Sequence, residues 1–279
     1  MAALVETAAN LLRDARQARL QRSLSLLAGL TSGLSGLEVA YMHYRGSYGN
    51  RIMWTPILMS QALLGAGVAA AIRPRLARTL LPAVAAVTLA DCATGFVFHL
   101  RGVHRKPGGW KLLRVNVPMG PPPFAPLLFG MSAYMGMLAA RLPTEGSGQP
   151  APGEAAIKRH LRLITAVSAL CSGTEALYSH YKNNFRYRVQ WTPIALAPLL
   201  AAAALLDRPR WLLPAASVAA MVDGAVGSGF HTRGVVRRSG GAKHLMYNIM
   251  YGPPLLAPLL FAACGLFGLL ASVMRGNKA

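Results

Sequence analysis

Residues 91–129 read DCATGFVFHLRGVHRKPGGWKLLRVNVPMGPPPFAPLLF, and residues 223–261, 132 positions later, read DGAVGSGFHTRGVVRRSGGAKHLMYNIMYGPPLLAPLLF. The two stretches agree at 22 of 39 positions, and the agreement is selective. It keeps an acid (Asp91/Asp223), a histidine (His99/His231), an Arg-Gly-Val run (Arg101/Arg233) and a Gly-Gly pair (Gly108/Gly240). An asparagine (Asn116/Asn248), a Gly-Pro-Pro turn (Gly120/Gly252) and an Ala-Pro-Leu-Leu-Phe run complete it. A duplicated lipid-facing helix is free to drift among apolar residues, so retained ionisable side chains and a retained turn have a use.

The duplication continues upstream at an offset of 137. Ser35-Gly36, Glu38, Tyr41, His43-Tyr44, Arg51 and Trp54-Thr55-Pro56-Ile57 return as Ser172-Gly173, Glu175, Tyr178, His180-Tyr181, Arg188 and Trp191-Thr192-Pro193-Ile194. The offset falls to 132 because the second half is five residues shorter around Pro209. An internal repeat of this length sets the architecture before any local reading does.

Composition places the repeat in a membrane. The chain is 53% hydrophobic and 14% charged over 279 residues, and long apolar runs recur. Of nine acids, Glu6, Asp14, Glu145, Glu154 and Asp207 fall in the N-terminal region, the middle linker or a short loop. Glu38, Asp91, Glu175 and Asp223 lie inside apolar segments. The net charge of +20 comes from 29 basic residues scattered between apolar runs, a pattern for lipid headgroups rather than nucleic acid. The three cysteines match nowhere between the halves, so neither a disulfide framework nor a thiolate metal site is expected. No small-residue cleavage site follows a short apolar core at the N-terminus, which argues against a cleaved signal peptide.

The expected fold is an all-α polytopic membrane protein with eight transmembrane helices in two parallel tandem four-helix repeats. The spans are read at 24–44, 54–72, 80–100, 124–142, 163–181, 192–206, 212–230 and 254–274, the first long enough for a hydrocarbon core about 30 Å thick. Residues 1–22 are an amphipathic cytoplasmic lead-in, 23–142 the first repeat, 143–159 a linker by composition, 160–275 the second repeat and 276–279 a tail. Four spans per repeat make the repeats parallel rather than inverted. Once the repeated cations are set aside as functional, the side with both termini is the richer in Lys and Arg, which places it in the cytoplasm. The Ala/Arg/Gly/Pro-rich usage suggests a bacterial inner membrane.

The chemistry rests on eight residues: Glu38, His43, Asp91 and His99 in the first half, and Glu175, His180, Asp223 and His231 in the second. Four imidazoles and four carboxylates suit Fe, Mn, Zn or Cu, and bundles build such sites from inward-facing residues. Glu38 to His43 and Asp91 to His99 span five and eight residues, about 7.5 and 12 Å along a helix. Neither spacing lets one helix supply two ligands, so histidines form a surface layer above deeper carboxylates. Alternatively an imidazole pair ligates haem iron, with Arg101 and Arg233 near the propionates and the carboxylates in support. Arg51 and Arg188 are further anion-binding candidates. As plain structure, the acids close the bundle against Arg45, Arg51 or Arg101, and Tyr and Trp near helix ends act as interfacial anchors. His104, His160 and His244 are read as loop residues.

No nucleotide loop or hydrolase order is present. The leading expectation is an integral membrane metalloprotein, a redox enzyme or electron carrier with a possible redox partner and no nucleic acid. A proton- or ion-coupled transporter using the same residues and a structural membrane subunit are the alternatives.

Overall fold

A computed structural model describes residues 2–142, 154–206 and 209–274. Among these residues there is no strand. The helices in order are α1 (Ala2–Arg45), α2 (Thr55–Ile72), α3 (Leu80–His104), α4 (Leu113–Asn116) and α5 (Ala125–Ala140). They are followed by α6 (Glu154–Tyr181), α7 (Thr192–Leu205), α8 (Leu212–Val236), α9 (Leu245–Tyr251) and α10 (Ala257–Val273).

Among the described residues, five helical stretches are long and apolar enough to cross a membrane: Ala18–Arg45, Arg51–Ile72, Pro74–His104, Arg188–Leu205 and Leu212–Val236. The apolar helices α5 and α10 are shorter, about 24–26 Å at 1.5 Å per residue. Outward-facing Leu37, Leu58, Val87 and Val222 are each more than half exposed, as in helices whose outer faces meet lipid. The architecture is therefore all-helical and compatible with a multi-pass membrane protein.

Helix boundaries differ from the sequence reading at α1, α6, α3 and α8. The lead-in and first span form one 44-residue helix, α1, because nothing between them breaks a helix. α6 begins at Glu154, so the end of the expected linker is helical; residues 143–153 and the tail lie outside the described residues. α3 runs on to His104 and α8 to Val236, beyond the expected ends at 100 and 230. Arginine ends an apolar run but not a helix, since it is a good helix former and backbone bonding continues through it.

Packing runs α1 on α2, α2 on α3, α3 on α5 and α5 back on α1. The second half repeats this circuit with α6, α7, α8 and α10. α1 and α3 thus stand diagonally across the first bundle, as α6 and α8 do across the second. The halves meet where α5 packs on α6 and α10 on α1. Small residues let the backbones close up, the usual basis of helix association in lipid. At Gly67 of α2, an added Cβ would come within 2.5 Å of the Ser25 carbonyl oxygen and 2.9 Å of the Gly29 backbone. Side-chain bonds reinforce the contact, with the Ser32 hydroxyl donating to the Ser60 carbonyl at 3.3 Å.

Neither backbone at this crossing can yield without shifting a whole helix. Gly67→Val is therefore expected to destabilise the protein by about 2–3 kcal/mol or to prevent its accumulation. Thermal unfolding in detergent measures this, with Gly65→Val, in open space, as the neutral control.

Candidate functional site

The histidines and glutamates lie toward the ends of the bundles away from the termini and the two aspartates near mid-helix, and their linkage is not the one their sequence order suggests. Asp91 lies near the middle of α3 and meets Thr55, the first residue of α2; their oxygens are 2.5 Å apart. Asp223 of α8 meets Thr192, the first residue of α7, in the same way. Each threonine hydroxyl also reaches a carbonyl three residues back, Ile52 at 2.9 Å and Val189 at 2.8 Å. Thr55 and Thr192 belong to the duplicated Trp-Thr-Pro-Ile run, and that identity was the available signal for them.

The glutamates cross between halves. Glu38 on α1 accepts the Leu256 amide at 3.2 Å, at the start of α10. Glu175 on α6 accepts the Phe124 amide at 2.7 Å, at the start of α5. Phe124 and Leu256 are equivalent positions, so the exchange is reciprocal. A helix start in an apolar setting leaves amides without partners, and a carboxylate there satisfies one while aligning with the helix dipole. The Tyr41 hydroxyl donates to Glu38 as well, so this buried tyrosine is a hydrogen-bond donor rather than an interfacial anchor. These are the acids' hydrogen-bond partners; of the arginines expected as bundle-closing mates, Arg45 acts on Glu38 electrostatically.

Three of the histidines bond backbone carbonyls through Nδ1. His99 meets the Pro122 oxygen and His231 the Pro254 oxygen, both at 2.5 Å, and His43 meets the Met53 oxygen at 2.7 Å. A carbonyl only accepts, so Nδ1 carries the proton and Nε2 of the neutral ring is left with its lone pair. That arrangement orients imidazoles toward metals. The His180 and His231 rings lie 6.5 Å apart at 84°, and His43 is within electrostatic range of His99. The second half thus places a histidine of its first helix beside one of its third, while in the first half His43 acts on His99 electrostatically.

The Gly-Pro-Pro turns are where these threads join. His99 holds the Pro122 carbonyl while Glu175, from the other half, holds the Phe124 amide two residues on. His231 and Glu38 hold Pro254 and Leu256 in the mirror arrangement. The glutamate therefore joins the opposite half's histidine turn, which corrects the grouping by repeat. Gly102 is required beneath this turn, because an added Cβ would lie 2.7 Å from Pro121 Cγ. The Gly-Gly pairs take positive φ at both residues, 77° and 51° for Gly108 and Gly109, 81° and 49° for Gly240 and Gly241. Buried Asn116 closes the first loop on the Pro107 and Gly109 carbonyls, and Asn248 the second on Ser239 and Gly241.

The turn after each first helix was not singled out by sequence. Ser47-Tyr48 and Asn184-Phe185 all have positive φ, between 45° and 57°, an uncommon state for residues other than glycine. Tyr48 stacks on Trp54 at 4.3 Å and Phe185 on Trp191 at 4.1 Å. The tryptophans are thus stacking partners that fix a strained turn beside His43 and His180.

Arg51, Arg101, Arg188 and Arg233 are exposed, around the same ends of the bundles. His160 lies inside α6, its Nδ1 2.6 Å from the Tyr134 hydroxyl, and is not a loop residue. His104 ends α3 and stacks on Trp110, while His244 closes a short 3-10 turn. Among the described residues, no group of three or more His, Cys, Asp or Glu is arranged to hold a metal ion.

Removing one crossing carboxylate exposes an amide inside the bundle. Glu175→Ala is expected to cost about 1.5–3 kcal/mol, while Glu175→Gln keeps an acceptor oxygen and recovers about half. Unfolding midpoints in detergent decide it, and Glu38→Ala repeats the result. Comparison with protein-family models, with curated proteins and with solved structures found no match to this chain.

Proposed function

We propose that the chain is an integral membrane electron carrier of eight spanning helices, built as two parallel four-helix repeats with both termini cytoplasmic. Each repeat holds a transition-metal ion or a haem iron between its two histidines, near the extracytoplasmic face of a bacterial inner membrane. The observation that carries this reading is the His180–His231 pair, with rings 6.5 Å apart on diagonal helices and His231 Nε2 left free by its bond to Pro254. With metal–nitrogen distances of about 2 Å, two imidazoles sharing one ion have ring centres roughly 5–6.5 Å apart, the upper end being the linear arrangement. If the group is haem, the paired imidazoles would hold its iron, which would supply one-electron transfer there. Arg101 and Arg233, two residues beyond His99 and His231, would be the cations available to its propionates. The carboxylates hold helix ends and threonines, and so support the histidine turns rather than ligate.

A second reading, proton-coupled transport, is favoured by Asp91 and Asp223. They lie near the middle of long apolar helices, each against a threonine hydroxyl, where an ionisable group is costly without a task.

Purified protein is expected to contain up to two equivalents of iron or another transition metal, with a Soret band if the iron is haem. His231→Ala and His180→Ala should each remove about half of it, and the additional loss of His43 and His99 should remove the rest. Metal analysis and absorption spectra provide the readout. A metal-free, band-free protein whose histidine variants fold and function normally would sink the carrier reading. Proteoliposome uptake sensitive to Asp91→Asn and Asp223→Asn would then establish transport.

A further inference from the structure

Between α3 and α5, and again between α8 and α10, the chain forms a flap that the bundle does not cover. Each flap is pinned by one buried asparagine, Asn116 or Asn248, and contains a short helix, α4 or α9. What the flaps expose is unusual for a water-facing loop. Trp110, Leu112, Leu113, Val115 and Met119 are 45–56% exposed in the first. Leu245, Met246, Tyr247 and Tyr251 are 42–69% exposed in the second. Exposed cations lie among them: Arg105, Lys111 and Arg114 in one flap, Arg237, Arg238 and Lys243 in the other. Neither flap contains an Asp or Glu.

Apolar surface of this extent is disfavoured in water, and unneutralised cations are disfavoured in hydrocarbon. One environment suits both, the boundary between acyl chains and anionic headgroups. We propose that the two flaps lie in the headgroup layer and bind anionic phospholipid, with phosphates against these six cations and the Trp, Leu, Met and Tyr side chains in the acyl boundary. The flaps hang from helices continuous with spanning segments, which brings them to that depth. Trp and Tyr are the residues suited to it.

The comparison between flaps separates a lipid from an acidic protein as occupant. Cations recur at equivalent positions, Arg105/Arg237 and Lys111/Lys243, with Arg114 matched by Met246, whereas apolar residues change more, as in Trp110/Ala242 and Val115/Tyr247, with Leu113/Leu245 retained. A fluid interface requires charge and apolar content but no fixed shape. A protein partner would require shape.

The inference rests on the membrane placement proposed above and not on the metal. Its test uses the full chain reconstituted in phosphatidylcholine vesicles, with trace spin-labelled phosphatidylglycerol or spin-labelled phosphatidylcholine as the probe. The motionally restricted fraction should favour phosphatidylglycerol by roughly fivefold or more, the effect of even one surface cation. That preference should fall toward one in R105Q/K111Q/R114Q/R237Q/R238Q/K243Q, and for the unaltered chain in about 0.5 M salt. The salt arm keeps the test decisive if the six-fold variant fails to insert. A ratio of one for the unaltered chain, or an unchanged ratio in the inserted variant, overturns the proposal. So does capture of soluble polyglutamate at a lipid ratio of one, which selects an acidic protein. Failure of the chain to float with vesicles refutes the membrane reading itself, a result distinct from floating without preference.

Discussion

Two carboxylates reach across the molecule to the starts of the helices that close the opposite half. Glu38 accepts from the Leu256 amide and Glu175 from the Phe124 amide, both carboxyl groups partly buried between the halves. Most of the polar architecture depends on them. They set where α5 and α10 begin, and these beginnings set the Gly-Pro-Pro turns. The turns in turn offer the carbonyls on which His99 and His231 are oriented. Proline heightens the dependence. Pro121–Pro123 and Pro126, like Pro253, Pro254 and Pro258, supply no amide hydrogen, so few donors remain at each start and those few are used.

One turn therefore carries two duties from two halves. The same three-residue segment accepts a bond from an imidazole of its own half and donates one to a carboxylate of the other. A shift of either bond is felt at a backbone segment that holds both. Coupling of this kind needs no long pathway, because the turn itself is the shared element.

Much of this was legible in the sequence, and the rest was hidden for identifiable reasons. Apolar runs gave the helices, and the duplicated residues gave the set of side chains that matter. Thr55, Asn116, Gly102 and the Gly-Gly pairs were visible as repeated positions, and each proves to have a specific local task. Spacing along one helix bounded which residues of that helix share a level, but it says nothing about which half a side chain faces. Glu38 was accordingly grouped with His99, when it meets the turn held by His231. The ends of α3 and α8 were misplaced because hydropathy marks where a membrane ends, not where a helix does. The positive φ of Tyr48 and Phe185 had no signal in residue type; both stack on a tryptophan, Trp54 and Trp191, far enough along the chain that local sequence does not show it.

The crossing carboxylates also bear on ancestry. A contact made by Glu38 on one side and Glu175 on the other, each to the equivalent amide, is an isologous contact written within one chain. A polypeptide of half this length holds both members of the pair and satisfies neither alone. Two copies about a twofold axis would satisfy both at once. Fusion of such a homodimer requires only a tether, after which each half is free to diverge wherever its partner does not touch it.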